Sequence, residues 1–505
     1  MDLATKAVKA YFSSRVRAIE RYSTDFEAVQ RSCLENLLKT ASATEWGRRY
    51  GFSTLKDYSE YARTVPLVRY EAIRDDMIRI MNGERDILWP GQIPYIALSS
   101  GTTSDRCKFI PVSRRSLRKC HLQGGQDVTA TYLAQTGDSY VSKGWQLALS
   151  GKFRPEWNNR YILAGDVSAI MQAQIPPVFR RMLHFAPPVE MANMEDYHQK
   201  FDAIAHYVLD KNVTSVSGAP SWLLTVLNRV LELSGKENLS EVWPGMELVT
   251  HGGMGFGPYR PLFQRLFPHG VHYKETYNAS EGFFGVQTDE KDPSMMLMLD
   301  YDIFFEFIPM SVYGTPEEYA IPLWEVEPGV DYSLVLTTAS GLWRYDICDI
   351  IRFTRKAPYK FVITGRTRQT IESCGESMSV AQAERALTAA CLETGSEVSE
   401  FTVAPLFLPD GRVRHQWLIE FRREGVPAEA FGKVLDRILQ EQSEHYHSKR
   451  SDDHPLMHLE VLEARKGLFH AWLDAQGKFG GQHKVPRLSV ERKYLESLLE
   501  MNAVT

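Results

Sequence analysis

Apolar residues in the first part of the chain recur every three or four positions. From about residue 3 to residue 64 this spacing predicts helices, with polar breaks around Trp46, Gly47 and Gly51. In the first helix Val8, Phe12, Val16 and Ile19 fall on one face. From Pro90 the texture changes. Short apolar runs at 93–99, 145–150, 215–217, 247–251 and 271–276 alternate with amphipathic stretches such as 194–209 and 221–233. That alternation predicts an α/β domain whose sheets are covered by helices. Runs at 296–309, 331–338, 343–353 and 360–364 predict antiparallel strands added to the main sheets.

The character changes again over 364–380. The segment TGRTRQTIESCGESMSV carries Gly365 and Gly375 and few large apolar side chains. Beyond it the pattern reads as a helix at 381–390, strands at 399–404 and 414–421, a helix at 427–441, a polar loop at 442–453 and a last strand near 458–463. This is a small α+β unit, so two domains are expected, 1–375 and 376–505. No internal repeat or low-complexity tract interrupts them.

Composition narrows the function classes. A chain of 505 residues exceeds what one simple core organises. With 44% hydrophobic and 24% charged residues it reads as soluble and globular. A net charge of −5 lacks the basic footprint of a nucleic-acid binder. No run reaches the roughly 20 apolar residues that span a bilayer, and the basic, acid-poor start reads as an amphipathic helix rather than a transit peptide. The six cysteines, Cys33, Cys107, Cys120, Cys348, Cys374 and Cys391, show no CxxC spacing and read as reduced thiols of a cytoplasmic protein. A monomer is the default.

Three short segments carry candidate chemistry. Ser99, Ser100, Gly101, Thr102 and Thr103, followed by Lys108, come directly after an apolar run. Glycine allows close backbone approach, hydroxyls and N–H groups donate to phosphate oxygens, and lysine neutralises charge. The segment lacks the GxxxxGK[ST] pattern, and by itself it also reads as a Ser/Thr-rich turn. In Tyr277-Asn278-Ala279-Ser280-Glu281-Gly282 the tyrosine ring suits a nucleobase and Glu281 suits magnesium, which prefers hard oxygen ligands. A surface turn capped by Ser280 and Glu281 is the plainer alternative. In the third segment, WRYDICD at 343–349 with Gly365 and Arg366 beyond it, an aspartate suits ribose hydroxyls and an arginine suits ribose or phosphate. A strand with surface charges is the alternative there. His454 and His458 have helical spacing, but Pro455 between them and the lack of a third ligand argue against zinc. Cys348 reads as a buried packing thiol, and the aromatics at 304–307 and Trp324 as core.

The order of the segments resembles the acyl-adenylate-forming superfamily. More closely, the chain resembles the auxin-responsive acyl acid amido synthetases, the Gretchen Hagen family, in their bacterial form. The similarity lies in SSGTTSDRCKFIPVS at 99–113, HGGMGFGPYRPLF at 251–263, ETYNASEGFFGVQ at 275–287, GLWRYDICDIIRFT at 341–354 and GGQHKVPRLS at 480–489. It implies ATP and Mg²⁺, with Ser99, Ser100, Gly101, Thr102, Thr103 and Lys108 at the phosphates, and Gly253, Met254 and Tyr277 around adenine. It further implies Ser280 in the turn beside a magnesium-holding Glu281, Asp349 and Arg366 at the ribose, and Lys484 as a catalytic lysine on a mobile C-terminal domain. The larger domain would then bind ATP and acyl acid, with a carboxylic acid and an amine such as an amino acid as substrates. Two alternatives are transfer to coenzyme A or a carrier thiol, and a degenerate nucleotide binder without turnover. Three departures from the family pattern stand out. Ser104 and Asp105 occupy the place of a glycine after the Thr pair, Asp346 stands where the family has arginine, and Cys348 where it has glycine.

Overall fold

The computed structural model describes residues 3–99, 108–253, 256, 259–367, 370–371, 373–376, 378–450, 453, 455–475 and 486–503. Its strands are β1 (Tyr95–Ser99), β2 (Lys108–Val112), β3 (Trp145–Ala148), β4 (Leu163–Gly165), β5 (Phe185–Ala186), β6 (Val213–Gly218) and β7 (Leu248–Gly252). They continue with β8 (His272–Ala279), β9 (Gly282–Val286), β10 (Met295–Leu297), β11 (Ile303–Pro309), β12 (Ile321–Pro322), β13 (Asp331–Thr338), β14 (Tyr345–Arg355) and β15 (Lys360–Arg366). The last are β16 (Thr370–Ile371), β17 (Met378–Ser379), β18 (Glu397–Phe407), β19 (Val413–Arg423) and β20 (Glu460–Glu463).

Twelve strands form one sheet in the order β12-β11-β13-β14-β15-β10-β9-β8-β7-β6-β3-β5. The half made of β3, β5, β6, β7 and β8 is parallel, and the half from β9 to β15 is antiparallel. This is the expected α/β domain with added antiparallel strands, although the two sets share a single sheet. A separate three-stranded sheet, β2-β1-β4, carries the 95–112 hairpin, and β18-β19-β20 forms the sheet of the C-terminal part. The parallel strands pack under helices such as Tyr197–Val208 and Pro220–Ser234, with Leu223, Leu227, Val230, Val216 and Val249 buried between layers. The antiparallel half buries Phe284, Phe305, Phe307, Phe353 and Phe361 under the N-terminal helices. The C-terminal part has its own core around Trp417, Ile419, Phe431 and Leu435. Among the described residues, no helix is long and apolar enough to cross a membrane.

Three expectations need correction. Trp46 and Gly47 lie inside a short helix, Glu45–Arg49, and the chain breaks just before it. Thr44 caps that helix by accepting the Gly47 N–H at 3.0 Å, and a Cβ at Gly47 would sit 2.1 Å from the Ala41 carbonyl oxygen. The polar segment 442–453 contains the helix Glu444–Arg450. Tyr446, Lys449 and Arg450 are buried, and two of them reach Asp436: Arg450 Nη2 meets Asp436 Oδ2 at 2.7 Å, and the Tyr446 hydroxyl donates to Asp436 at 2.8 Å. Finally, the run 296–309 is two strands, β10 and β11, separated by a turn through Asp302 in a left-handed conformation.

Candidate active site

The parallel strands end where the sequence places its motifs. Gly252 closes β7, and a Cβ there would lie 2.4 Å from the Thr276 carbonyl oxygen, so β7 and β8 approach closely only because it is glycine. Gly253 follows with a φ of 81°, a left-handed turn that glycine adopts without strain. Next to it β8 and β9 form a hairpin in which Ala279 pairs with Gly282 and the turn is Ser280 and Glu281. This tight connection holds the Glu281 carboxylate in a fixed, buried position.

The sheet then brings the third motif to the second. In a flat sheet, β14 and β8, four places apart, would be separated by about 19 Å at the usual strand spacing of about 4.8 Å. Yet the Tyr277 hydroxyl of β8 donates to Asp349 Oδ2 of β14. The sheet must therefore curl strongly across β15, β10 and β9. Gly285 permits part of this, since a Cβ there would meet the Phe361 ring at 2.8 Å. Asp349 pairs in register with Arg366 of β15. It sits in a bulge: Ser333 and Val335 of β13 are opposed by Ile350 and Asp346, so that the three residues 347–349 stand opposite Leu334 alone. Bulges of this kind re-aim side chains beside functional sites.

Tyr345 links this cluster to the 95–112 hairpin. Its hydroxyl is buried and finds no partner among the described residues, and burial together with the Glu281 carboxylate, Cys348 and Tyr70 raises its pKa well above the usual tyrosine value. Tyr70 in turn accepts the Phe109 N–H at 2.9 Å, and the Lys108 ammonium lies over the Tyr70 ring at 5.9 Å. Lys108 pairs in register with Ser99, the last pair before the segment that connects the two strands. A buried carboxylate, an unsatisfied hydroxyl donor and a lysine beside the hairpin therefore face one region. That set fits a magnesium-bound phosphate, with Glu281 supplying a hard anionic oxygen and Tyr345 and Lys108 supplying donors.

Of the residues singled out in the sequence, Ser99, Lys108, Gly253, Tyr277, Ser280, Glu281 and Asp349 are placed in this region, and Arg366 by its backbone. Tyr277 is buried, and its ring makes a T-shaped contact with Phe284 at 4.8 Å. Ser100, Gly101, Thr102, Thr103, Met254 and Lys484 lie outside the described residues, as do Ser104 and Asp105. The sequence reading missed Tyr70, Tyr345 as an isolated donor, and His121. His121 belongs to a π-helical turn, Leu117–Leu122, a deformation frequent at functional sites. Its Nδ1 lies 3.2 Å from Asn278 Oδ1 in the second motif, its Nε2 is unpartnered among the described residues, and burial pushes its pKa down to about 4. No spacing rule marks it, because its neighbour is brought to it by the fold.

The chain matches three family domains in sequence order: the GH3 family N-terminal domain over residues 15–201, the GH3 family central domain over 296–366 and the GH3 family C-terminal domain over 381–493. It is 25% identical to the indole-3-acetic acid-amido synthetase GH3.3 of Arabidopsis thaliana, across 96% of this chain and 92% of that protein. The structure of AtGH3.15 acyl acid amido synthetase in complex with 2,4-DB superposes with a TM-score of 0.62, at 19% identity, covering 97% of this chain and 96% of the other. A 2-hydroxyisobutyryl-CoA ligase in complex with 2-HIB-AMP and CoA superposes with a TM-score of 0.55, at 13% identity, over 94% of this chain and 91% of the other. These two superpositions fix the fold as that of adenylate-forming ligases.

Proposed function

The chain belongs to the GH3 family, and from that premise we propose that it activates a carboxylic acid with ATP as an acyl-adenylate and passes the acyl group to the amine of an amino acid. The observation that carries the reading is the hydrogen bond from Tyr277 to Asp349, which joins the second and third motifs beside a buried Glu281. A carboxylate is a poor acyl donor until its oxygen attacks the α-phosphorus of ATP and pyrophosphate departs. Negative charge grows on the phosphate oxygens during that attack, so positioned donors and cations supply most of the acceleration.

In this reading Ser99 to Thr103 and Lys108 hold the phosphates, Gly253 and Met254 border adenine beside Tyr277, and Asp349 and Arg366 hold the ribose. Glu281 would hold magnesium, which when bound neutralises phosphate charge and polarises the P–O bonds. Lys484, carried by the C-terminal part over 376–505, completes the adenylation site when that part closes, so the chemistry is gated by substrate binding.

In the second step the amine attacks the acyl carbon and AMP leaves. Family membership favours an amine over a thiol, while the likeness to a CoA ligase in fold keeps the thioester alternative concrete. Competition separates them: the protein is given acid, MgATP, a mixture of amino acids and coenzyme A, and products are identified by mass. An amide and AMP support the proposal. A thioester as the main product would replace it.

A further inference from the structure

The two departures in the third motif, Asp346 for arginine and Cys348 for glycine, are in direct contact. Cys348 has a φ of 69°, the left-handed region that glycine enters freely and other residues rarely occupy. The Asp346 carboxylate lies beneath this turn. Its Oδ1 accepts the Cys348 N–H at 2.8 Å and the Ser333 hydroxyl at 2.7 Å. Its Oδ2 accepts the Tyr313 hydroxyl at 2.9 Å and Arg69 Nε at 3.1 Å. The Tyr313 oxygen is also 3.0 Å from the Thr367 hydroxyl, and the Thr367 N–H donates to the Cys348 carbonyl at 2.9 Å. Arg69 is held from the other side by Glu318 Oε1 at 2.8 Å.

The strained residue is therefore clamped at both its N–H and its carbonyl, and Asp349 is the next residue along. Both Asp346 oxygens are engaged by the Cys348 N–H, Ser333, Tyr313 and Arg69, so its direct link toward Asp349 is the backbone of Cys348. We propose that Asp346 is a positioning residue for ATP: its carboxylate, neutralised by Arg69, fixes the left-handed turn at Cys348 and so aims Asp349 at the ribose, a task that glycine at 348 performs without help. The inference rests on the reading of Asp349 as the ribose ligand.

The test is calorimetric binding of MgATP and of Mg-2′,3′-dideoxy-ATP to the full-length chain, with no acid present. Wild type should prefer ATP. Asp346→Ala should lose about tenfold in ATP affinity with little change for the dideoxy analogue, so that discrimination collapses. Asp346→Asn, which keeps an acceptor for the Cys348 N–H, should retain most of it. Asp346→Ala combined with Cys348→Gly should recover it, a result that a purely structural role for Asp346 would not produce. Should Asp346→Ala not fold, Asp346→Glu, which keeps the charge but moves the oxygens by one methylene, makes the same comparison. A discriminating wild type with an equally discriminating Asp346→Ala, or a loss that glycine fails to restore, would overturn the inference alone. A wild type blind to the missing hydroxyls would remove the ribose role of Asp349 and this inference with it.

Discussion

Tyr277 illustrates what single residues do here. Its motif is legible in the sequence, but its partner Asp349 is 72 residues away and meets it only because the sheet curls. Replacing Tyr277 by Phe removes one hydrogen bond to a charged group, worth about 1.5–3 kcal/mol where fully buried. It should weaken MgATP binding by about tenfold or more in calorimetry while leaving the fold intact. Lys484→Ala should reduce adenylation by about 10²–10³, the range seen when one charge-stabilising donor is removed, with the melting temperature unchanged. An unaltered pyrophosphate release rate would remove that lysine from the mechanism.

Several buried titrating groups shape the acid limb of stability, among them His121, Glu376 and His251, the last of which burial pushes down to about 3. His121 is pushed down to about 4 from its ordinary 6.5 by burial, so the unfolded chain takes up this proton first. Its contribution, roughly 3 kcal/mol, is present above pH 6.5 and is lost as pH falls toward 4. For Glu376, burial pushes the pKa up, but hydrogen bonds from His415, Cys374 and Ser373 outweigh it and leave the value at about 2. Its contribution is present above the ordinary 4.5 and lost between there and about 2. Denaturant titrations from pH 8 to 4 should therefore show falling stability, and His121→Gln should flatten the upper part of that fall. An identical slope in the variant would contradict the assignment. None of these groups is legible in sequence, because isolated histidines and glutamates acquire such shifts only from what the fold packs around them.

At the level of elements, the parallel strands were open to reading because apolar runs alternate with amphipathic helices, and β6, β7 and β8 lie where the pattern puts them. The helix Glu444–Arg450 was not, since its polar letters hide a buried face secured by Asp436. A comparable pair anchors the N-terminal helices to the sheet. Arg344, at a φ of 46°, donates to Glu306 of β11 at 2.8 Å and to the carbonyls of Ala62 and Val65 at 2.6 and 2.8 Å. Glu306→Ala would leave a buried guanidinium without its counter-charge and should cost about 3–5 kcal/mol in urea unfolding. Truncating the exposed pair partner Glu393 of Arg437 should cost no more than about 1 kcal/mol by the same measurement. Equal losses would mean that the buried pair does not anchor the helices.

Across the whole molecule, side chains of the C-terminal part pack against residues that flank the parallel strands. The Tyr259 hydroxyl donates to the Ser373 carbonyl at 3.1 Å, Phe407 packs edge-on against Tyr259 at 5.1 Å, and the Lys449 ammonium lies over Trp222 at 4.6 Å. The expected boundary between 375 and 376 rests on the change in texture over 364–380, whereas which faces meet depends on three-dimensional packing that no local pattern encodes. In the proposed function the C-terminal part brings Lys484 to the nucleotide for the first step. The central claim is the coupling of those steps, and the most direct measurement is acid-dependent pyrophosphate release from MgATP over a panel of aryl, indolyl and fatty acids, with and without amino acids. The account predicts release that requires an acid and becomes multiple-turnover only when an amino acid is present. Intact MgATP binding with no release for any acid, or turnover indifferent to amino acids, would contradict it.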